Sequence, residues 1–248
     1  MKVQVHLSFE EYIRRGNLNT EGLLSGGHPL MGLISAYYWF FADELWADEQ
    51  PIPQVPMFLS VNAFTLWTSG VRVALSGHET AVYPLFRTAL ESACYSLLIL
   101  HRSELASIWV ERHNGEGQRK ACRKAFISAV SDAAKLVAAS EAGSGAYIAQ
   151  LYEASIDFGA HPNPRSVMNH VHRWVPKGGE EKIGLGSIYP GDSLPVFRAL
   201  TACIEYGRGI ALLLAHCLPD MTPRVIEGFR ALEQRQSELF PENVGDSA

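Results

Sequence analysis

The chain has 248 residues, 47% of them hydrophobic and only 19% charged, with a formal net charge of -5. Folding at this length buries roughly 70 to 75% of the surface of the extended chain, so a sizeable core is available, and the apolar surplus must be covered there or by a second subunit. The acidic balance excludes a global field that draws polyanions and leaves any nucleic-acid contact to a local basic patch.

In chain order, Ser8 and Glu11 in "SFEE" match a capping box that opens a helix, and "RGN" at 15–17 is expected to stop it. Pro29 suits a first helical position, after which Leu30, Leu33, Ile34, Tyr37, Tyr38, Phe41 and Leu45 hold one face of a long helix. Trp39, Phe40 and Trp46 lie off that stripe, which points to a central or interfacial helix. Gln50 to Val71 is uncharged over a length that could span a bilayer. Its three prolines, two glutamines and asparagine favour instead a buried helix from Pro56 to a glycine cap at Gly77, and no membrane association is expected.

The cleanest stripe is Val82, Leu85, Phe86, Ala89, Leu90, Ala93 and Leu97, with Pro84 marking a start or a bend. Ser103 is placed to cap a short helix over "ELASIWVER", residues 104–112, with Leu105, Ile108 and Trp109 on one face, and "NGEG" closes it. A basic helix from Gln118 is expected to run on to "GSG" at 143–145, followed by another from Ala146 to Phe158 that Gly159 ends. Between Val171 and Tyr189 the period changes to alternation around Pro-Lys-Gly-Gly, the pattern of a small hairpin or flap. Helix returns from Pro195 until Pro219, and Thr222 and Pro223 open a last amphipathic helix, with residues 240–248 fraying. No repeat or long linker divides the chain. The expectation is one all-α bundle of about seven or eight helices with a β-hairpin insertion near 171–189.

Cys94, Cys122, Cys203 and Cys217 are scattered and form no CxxC pair, as core thiols in a reducing compartment would be. The first sixteen residues lack the apolar core of a signal peptide, so a cytoplasmic protein is expected.

Chemistry concentrates in "SIDFGAHPNPRSVMNHVHRW", residues 155–174. Asp157, His161, His170 and His172 offer one oxygen and three imidazoles but match no recognised zinc spacing, and neither a metal nor another cofactor is expected. Arg165 and His170 have an Arg-x4-His spacing suited to metal-free RNA cleavage, in which histidine moves the proton of a 2'-hydroxyl and arginine holds the phosphate. His172 completes a second such spacing from Arg165, and Arg72 with His78 a third that reads as structural. Arg119, Lys120, Arg123 and Lys124 would line a helix with four cations, either a solvated face or a contact for RNA. A third reading joins Arg87 and Glu91, four residues apart on an apolar helix, to Asp157 or His161 in one polar network. Such a network serves as a structural brace or as a site for a small polar or anionic ligand.

A helical bundle carrying Arg-x(4 to 6)-His resembles the HEPN superfamily. That resemblance implies a dimeric, metal-independent endoribonuclease of a toxin or phage-defence type, with Arg165 and His170 as its catalytic residues. Over residues 80–170, "YPLFRTALESACYSLLI", "ASIWVERH" and "LYEASIDFGAHPNP" are similar in layout to bacterial helical proteins with an Arg-x-x-x-Glu helix and a later His-Pro segment. This second resemblance implies an all-helical cytosolic protein and carries no activity. The competing function is a non-catalytic interaction or ligand-sensing bundle, a homodimer in either case.

Overall fold

The computed structural model describes residues 7–46, 51–140, 142–174, 179 and 182–240. Ser8 caps the first helix through its Oγ, which accepts from the backbone N–H of Glu11 at 3.1 Å, and α1 spans Phe9–Ser25. It runs straight through Arg15-Gly16-Asn17 rather than stopping there. Gly16 is buried where α1 meets Ser76, and Asn19 and Thr20 on the next turn bond across to that neighbouring surface, so tertiary contact outweighs the local helix-breaking tendency.

Helix α2 (Pro29–Trp39) buries Leu30, Leu33, Ile34 and Tyr37 and continues into a wider π-helical turn, Phe40–Glu44, which swings Phe40 and Phe41 into the core. Helix α3 (Gln54–Leu75) ends at Gly77, whose φ of 90° is the left-handed cap the sequence requires. Helix α4 (Val82–His101) carries Pro84 in its first turn, where the missing N–H costs nothing, and buries twelve of its residues. Among the described residues no helix is long and apolar enough to cross a membrane.

The basic segment divides. After α5 (Glu104–Val110) come α6 (Glu116–Phe126) and a separate α7 (Ala129–Ser140), broken at Ile127 and Ser128. The Ser103 side chain makes no capping bond to α5. Helix α8 (Ala142–Ser155) leads into a second π-helical turn, Ile156–Ala160, and the short α9 (Pro164–Met168) follows. The chain therefore has more helices than the expected seven or eight, chiefly because the expected 118–140 helix is two and the "HPNP" turn starts another.

Strands β1 (Val171–Trp174) and β2 (Lys182–Leu185) pair antiparallel, with Val171 opposite Leu185 and Trp174 opposite Lys182. The insertion expected over 171–189 is smaller than its span: the ladder ends at Leu185, and Tyr189 leaves it to give its backbone N–H to Gly77 at 2.9 Å. Of the Pro-Lys-Gly-Gly turn expected at 176–179, residues 176–178 lie outside the described set, as do those expected to fray at 241–248. Helices α10 (Leu194–Ala215) and α11 (Pro223–Leu239) complete an all-α bundle.

Helix α4 is the axis: α3, α7, α8 and α10 all pack on it. Trp67 on α3 is fully buried and gives its indole N–H to the Cys203 carbonyl on α10 at 2.8 Å, over Gly207, where a Cβ would stand 3.2 Å from the indole nitrogen. Phe86 stacks on Tyr206, whose hydroxyl donates to the Leu151 carbonyl at 2.6 Å and ties α8 to the same layer. With α8 so placed, its aromatic and acidic residues lie beside Arg87 and Glu91 of α4.

Candidate functional site

Arg87 is a hub. Its Nε donates to Glu91 Oε1 at 3.0 Å, its Nη2 to the Tyr152 hydroxyl at 2.6 Å, and its Nη1 to His161 Nε2 at 2.5 Å, while its guanidinium carbon lies 4.8 Å from the Tyr152 ring centre. Because a guanidinium can only donate, His161 must accept on Nε2 and carry its proton on Nδ1. Burial works against the Arg87 charge, but the hydrogen bond and charge of Glu91 outweigh it and hold the guanidinium above its ordinary pKa. His161 itself is exposed, so the network runs from the surface inwards.

The "HPNP" segment is arranged to deliver His161 there. Asn163 and Ser166 form a reciprocal capping box that starts α9, and Asn163 Nδ2 also holds the Ile156 carbonyl at 2.8 Å. Gly159 approaches the Thr80 carbonyl so closely that a Cβ would sit 2.4 Å from it. The turn is thus pinned to the start of α4.

Arg165 and His170 face different partners. Arg165 bonds Asp157 at 3.0 Å, with both side chains more than half exposed, and lies over the Phe158 ring. His170 has both ring nitrogens engaged, Nε2 with Thr80 Oγ1 at 2.6 Å and Nδ1 with the Tyr189 hydroxyl at 3.0 Å, and stacks on the Tyr189 ring. The side chain of His172 lies outside the described residues. In the third Arg-to-His spacing, His78 bonds Tyr12 and Ser76 at 2.5 and 2.7 Å, and Arg72 bonds Thr20 and Asn17.

On α6 the four cations are exposed: Arg119 is paired with Glu116, Lys120 lies 4.0 Å from the same carboxylate, and Arg123 and Lys124 have no carboxylate partner among the described residues. Helix α6 packs on α5 and the turn Glu111–His113, whereas α9 packs on the turn Ile156–Ala160. The cations and the Arg165 segment belong to different neighbourhoods. No group of three or more His, Cys, Asp or Glu suited to a metal ion occurs among the described residues.

An open groove of about 410 Å³ adjoins the Arg87 network, with Glu91 and Tyr152 belonging to both. Its walls come from α4 (Glu91, Tyr95), the break between α6 and α7 (Phe126, Ile127, Ser128), and α8 (Tyr152, Glu153). Tyr95 and Phe126 stack at 4.2 Å with a 24° tilt. Burial, with a smaller push from Glu91, raises the Tyr95 phenol to about 12, so it stays protonated at neutral pH. The floor is made of small residues because α7 and α8 approach closely: a Cβ on Gly145 would lie 2.4 Å from the Ala134 carbonyl.

Sequence reasoning found Arg87, Glu91 and His161 but missed Tyr95, Tyr152 and the α6–α7 break. Tyr95 was within reach, since Arg87, Glu91 and Tyr95 recur every four residues on one face of α4. Phe126 carried no such signal, because its place depends on a helix break that the run of helix-forming residues hides.

No family model, no curated protein and no solved structure matches this chain.

Proposed function

We propose that the protein is a ligand-sensing helical bundle whose binding locus is the groove between α4, α7 and α8. One observation carries this reading: a groove of about 410 Å³, within the usual size range of small-molecule sites, shares two side chains with a network that already holds them in place. Arg87 fixes Glu91 and Tyr152 before anything binds, which lowers the ordering cost of binding. The occupant inserts beside the α6–α7 break, and a sensing response arises from a shift of α6, which is attached to the core through Cys122 and Phe126.

Metal-free RNA cleavage by Arg165 and His170, possible partners being RNA strands held on Arg119 and Arg123, is the competing proposal. The exposure of Arg165 and of the α6 cations speaks for it. Against it stand the two internal bonds of His170, which leave no ring nitrogen ready to take a substrate proton. A cytoplasmic homodimer belongs to both readings. It is supported by four buried cysteines without a disulfide and by exposed apolar side chains on α2 and α3, Trp39, Phe58 and Val61.

The test is ligand-observed NMR with a mixture of cationic, neutral and anionic small aromatics, on the wild type and on Ala149→Trp. Ala149 is exposed and lines the groove, so tryptophan there fills it without entering the core. Signals that Ala149→Trp abolishes support the reading, and signals that are absent or indifferent to that substitution overturn it.

A further inference from the structure

The chemistry lining the groove has a sign. Glu91 commits Oε1 to Arg87, which leaves Oε2 without a protein donor among the described residues, and Glu153 has neither an ion pair nor a hydrogen bond among them. The lining cation, Lys135, is already held by Asp132 at 3.3 Å. The hydrogen bond from Ser128, joined by the hydrogen bond and charge of Lys135 and the charge of Arg102, keeps the Asp132 carboxyl below its ordinary pKa against the opposing effect of burial, so that pairing persists at neutral pH.

Around the carboxylates stand aromatic faces. The Tyr95–Phe126 stack and the Tyr152 ring line the same space, with Ala134, Ala138 and Ala149 as an apolar floor. Ring faces carry negative electrostatic potential, so Tyr95 and Phe126 add to the pull of the carboxylates on a positive ligand, whereas the Tyr152 ring already has the Arg87 guanidinium 4.8 Å from its centre. An anionic ligand would instead meet the Glu153 carboxylate and the outer oxygen of Glu91, whose charge Arg87 offsets in part, beside one already paired lysine. A bare metal ion wants several oxygen or nitrogen donors converging, and no such cluster occurs among the described residues.

Resting on the ligand-sensing reading, we infer that the groove takes an organic cation: an ammonium group between Glu91 and Glu153, with an apolar or aromatic body on Tyr95, Phe126 and the alanine floor. Arg87 is then a positioning residue that orients Glu91 and Tyr152, and Glu153 is the carboxylate that sets specificity for positive charge.

The probe pair is phenethylamine and its neutral counterpart 2-phenylethanol, with phenylacetate as the anionic control, titrated by NMR at pH 7 in low salt. Phenethylamine is expected to bind more tightly than both. Glu153→Gln should weaken it by roughly fivefold, near the upper end for an exposed charge pair, with no effect on 2-phenylethanol, and added salt should weaken it further. Ala149→Trp should abolish binding of every probe, and Ser131→Trp, which fills the groove from α7, serves if the first variant fails to fold. If 2-phenylethanol or phenylacetate binds as well as phenethylamine in a manner that the tryptophan variants block, the cation assignment is overturned while the groove remains a binding site. The same assignment falls if Glu153→Gln leaves phenethylamine unchanged. If no probe shows binding that the tryptophan variants block, both readings fall.

Discussion

Arg87 gives Nη2 to the hydroxyl of Tyr152 at 2.6 Å, joining a cation of α4 to a phenol of α8 across 65 residues of sequence. The same guanidinium orients Glu91 and His161. Tyr152→Phe removes one hydrogen bond and should cost about 0.5 to 1.5 kcal/mol in urea unfolding. Arg87→Ala removes three and leaves Glu91 without its cation, but partial exposure of both screens the loss, so about 1 to 2 kcal/mol is expected. The double variant should cost less than the two single ones together, and strict additivity would show that the residues do not act as one network.

His170 and Arg165 separate a structural role from a catalytic one. His170→Ala should cost about 1 to 2 kcal/mol, since Thr80 and Tyr189 each lose a partner, whereas Arg165→Ala, at an exposed pair, should cost less than about 0.5 kcal/mol. In EDTA, purified wild-type protein should cleave RNA no faster than either variant. Cleavage that both substitutions abolish at preserved folding would reinstate the nuclease.

Two neighbouring titratable groups, the half-buried His78 and the buried Glu79, predict opposite pH responses between about 4.5 and 6.5. Burial lowers the His78 pKa, and the ring bonds the Tyr12 hydroxyl through Nε2 and Ser76 Oγ through Nδ1. The unfolded state therefore binds the proton more readily, and stability should fall as pH drops below 6.5 towards the folded value. A His78→Gln variant should lose that part of the acid limb in urea titrations at a series of pH values.

Glu79 runs the other way. Its side chain is almost fully buried, with Arg198 at 3.9 Å as the one cation to offset burial among the described residues, and its pKa is raised. The folded state holds the proton longer, so stability should fall as pH rises from 4.5 through the raised value. Glu79→Gln should raise the melting temperature at pH 7 relative to wild type and change it little at pH 4. A lower melting temperature at pH 7 would show that the Arg198 pairing outweighs burial.

All four thiols are buried, and burial pushes Cys217 up to about 12 and Cys94 and Cys203 upward as well. The thiolate is the reactive form, so the native protein should resist a thiol reagent at pH 8 and release all four equivalents only in denaturant. Rapid labelling of one thiol in the native state would point to local opening at that helix.

Local chemistry settled much of the bundle in advance. The Ser8 and Thr222 caps, Pro29 and Pro223 at helix starts, the left-handed Gly77 and the apolar stripe of α4 each depend on contacts within a few residues, and these can be read from sequence. Arg87 and Glu91 were legible as partners for the same reason, being one helical turn apart.

What only the tertiary structure decided involves residues far apart along the chain. Helix α1 passes through Gly16 because Ser76 lies against it, and His170 is held by Thr80 and Tyr189 although its spacing from Arg165 suggests catalysis. The break at Ile127 follows the docking of Phe126 on Tyr95, in a stretch with no glycine or proline to mark it. Spacing along a chain records which side chains share a helix face. It does not record which helix comes to lie against that face, and that choice assembled Glu91, Tyr95, Phe126, Tyr152 and Glu153 around one groove.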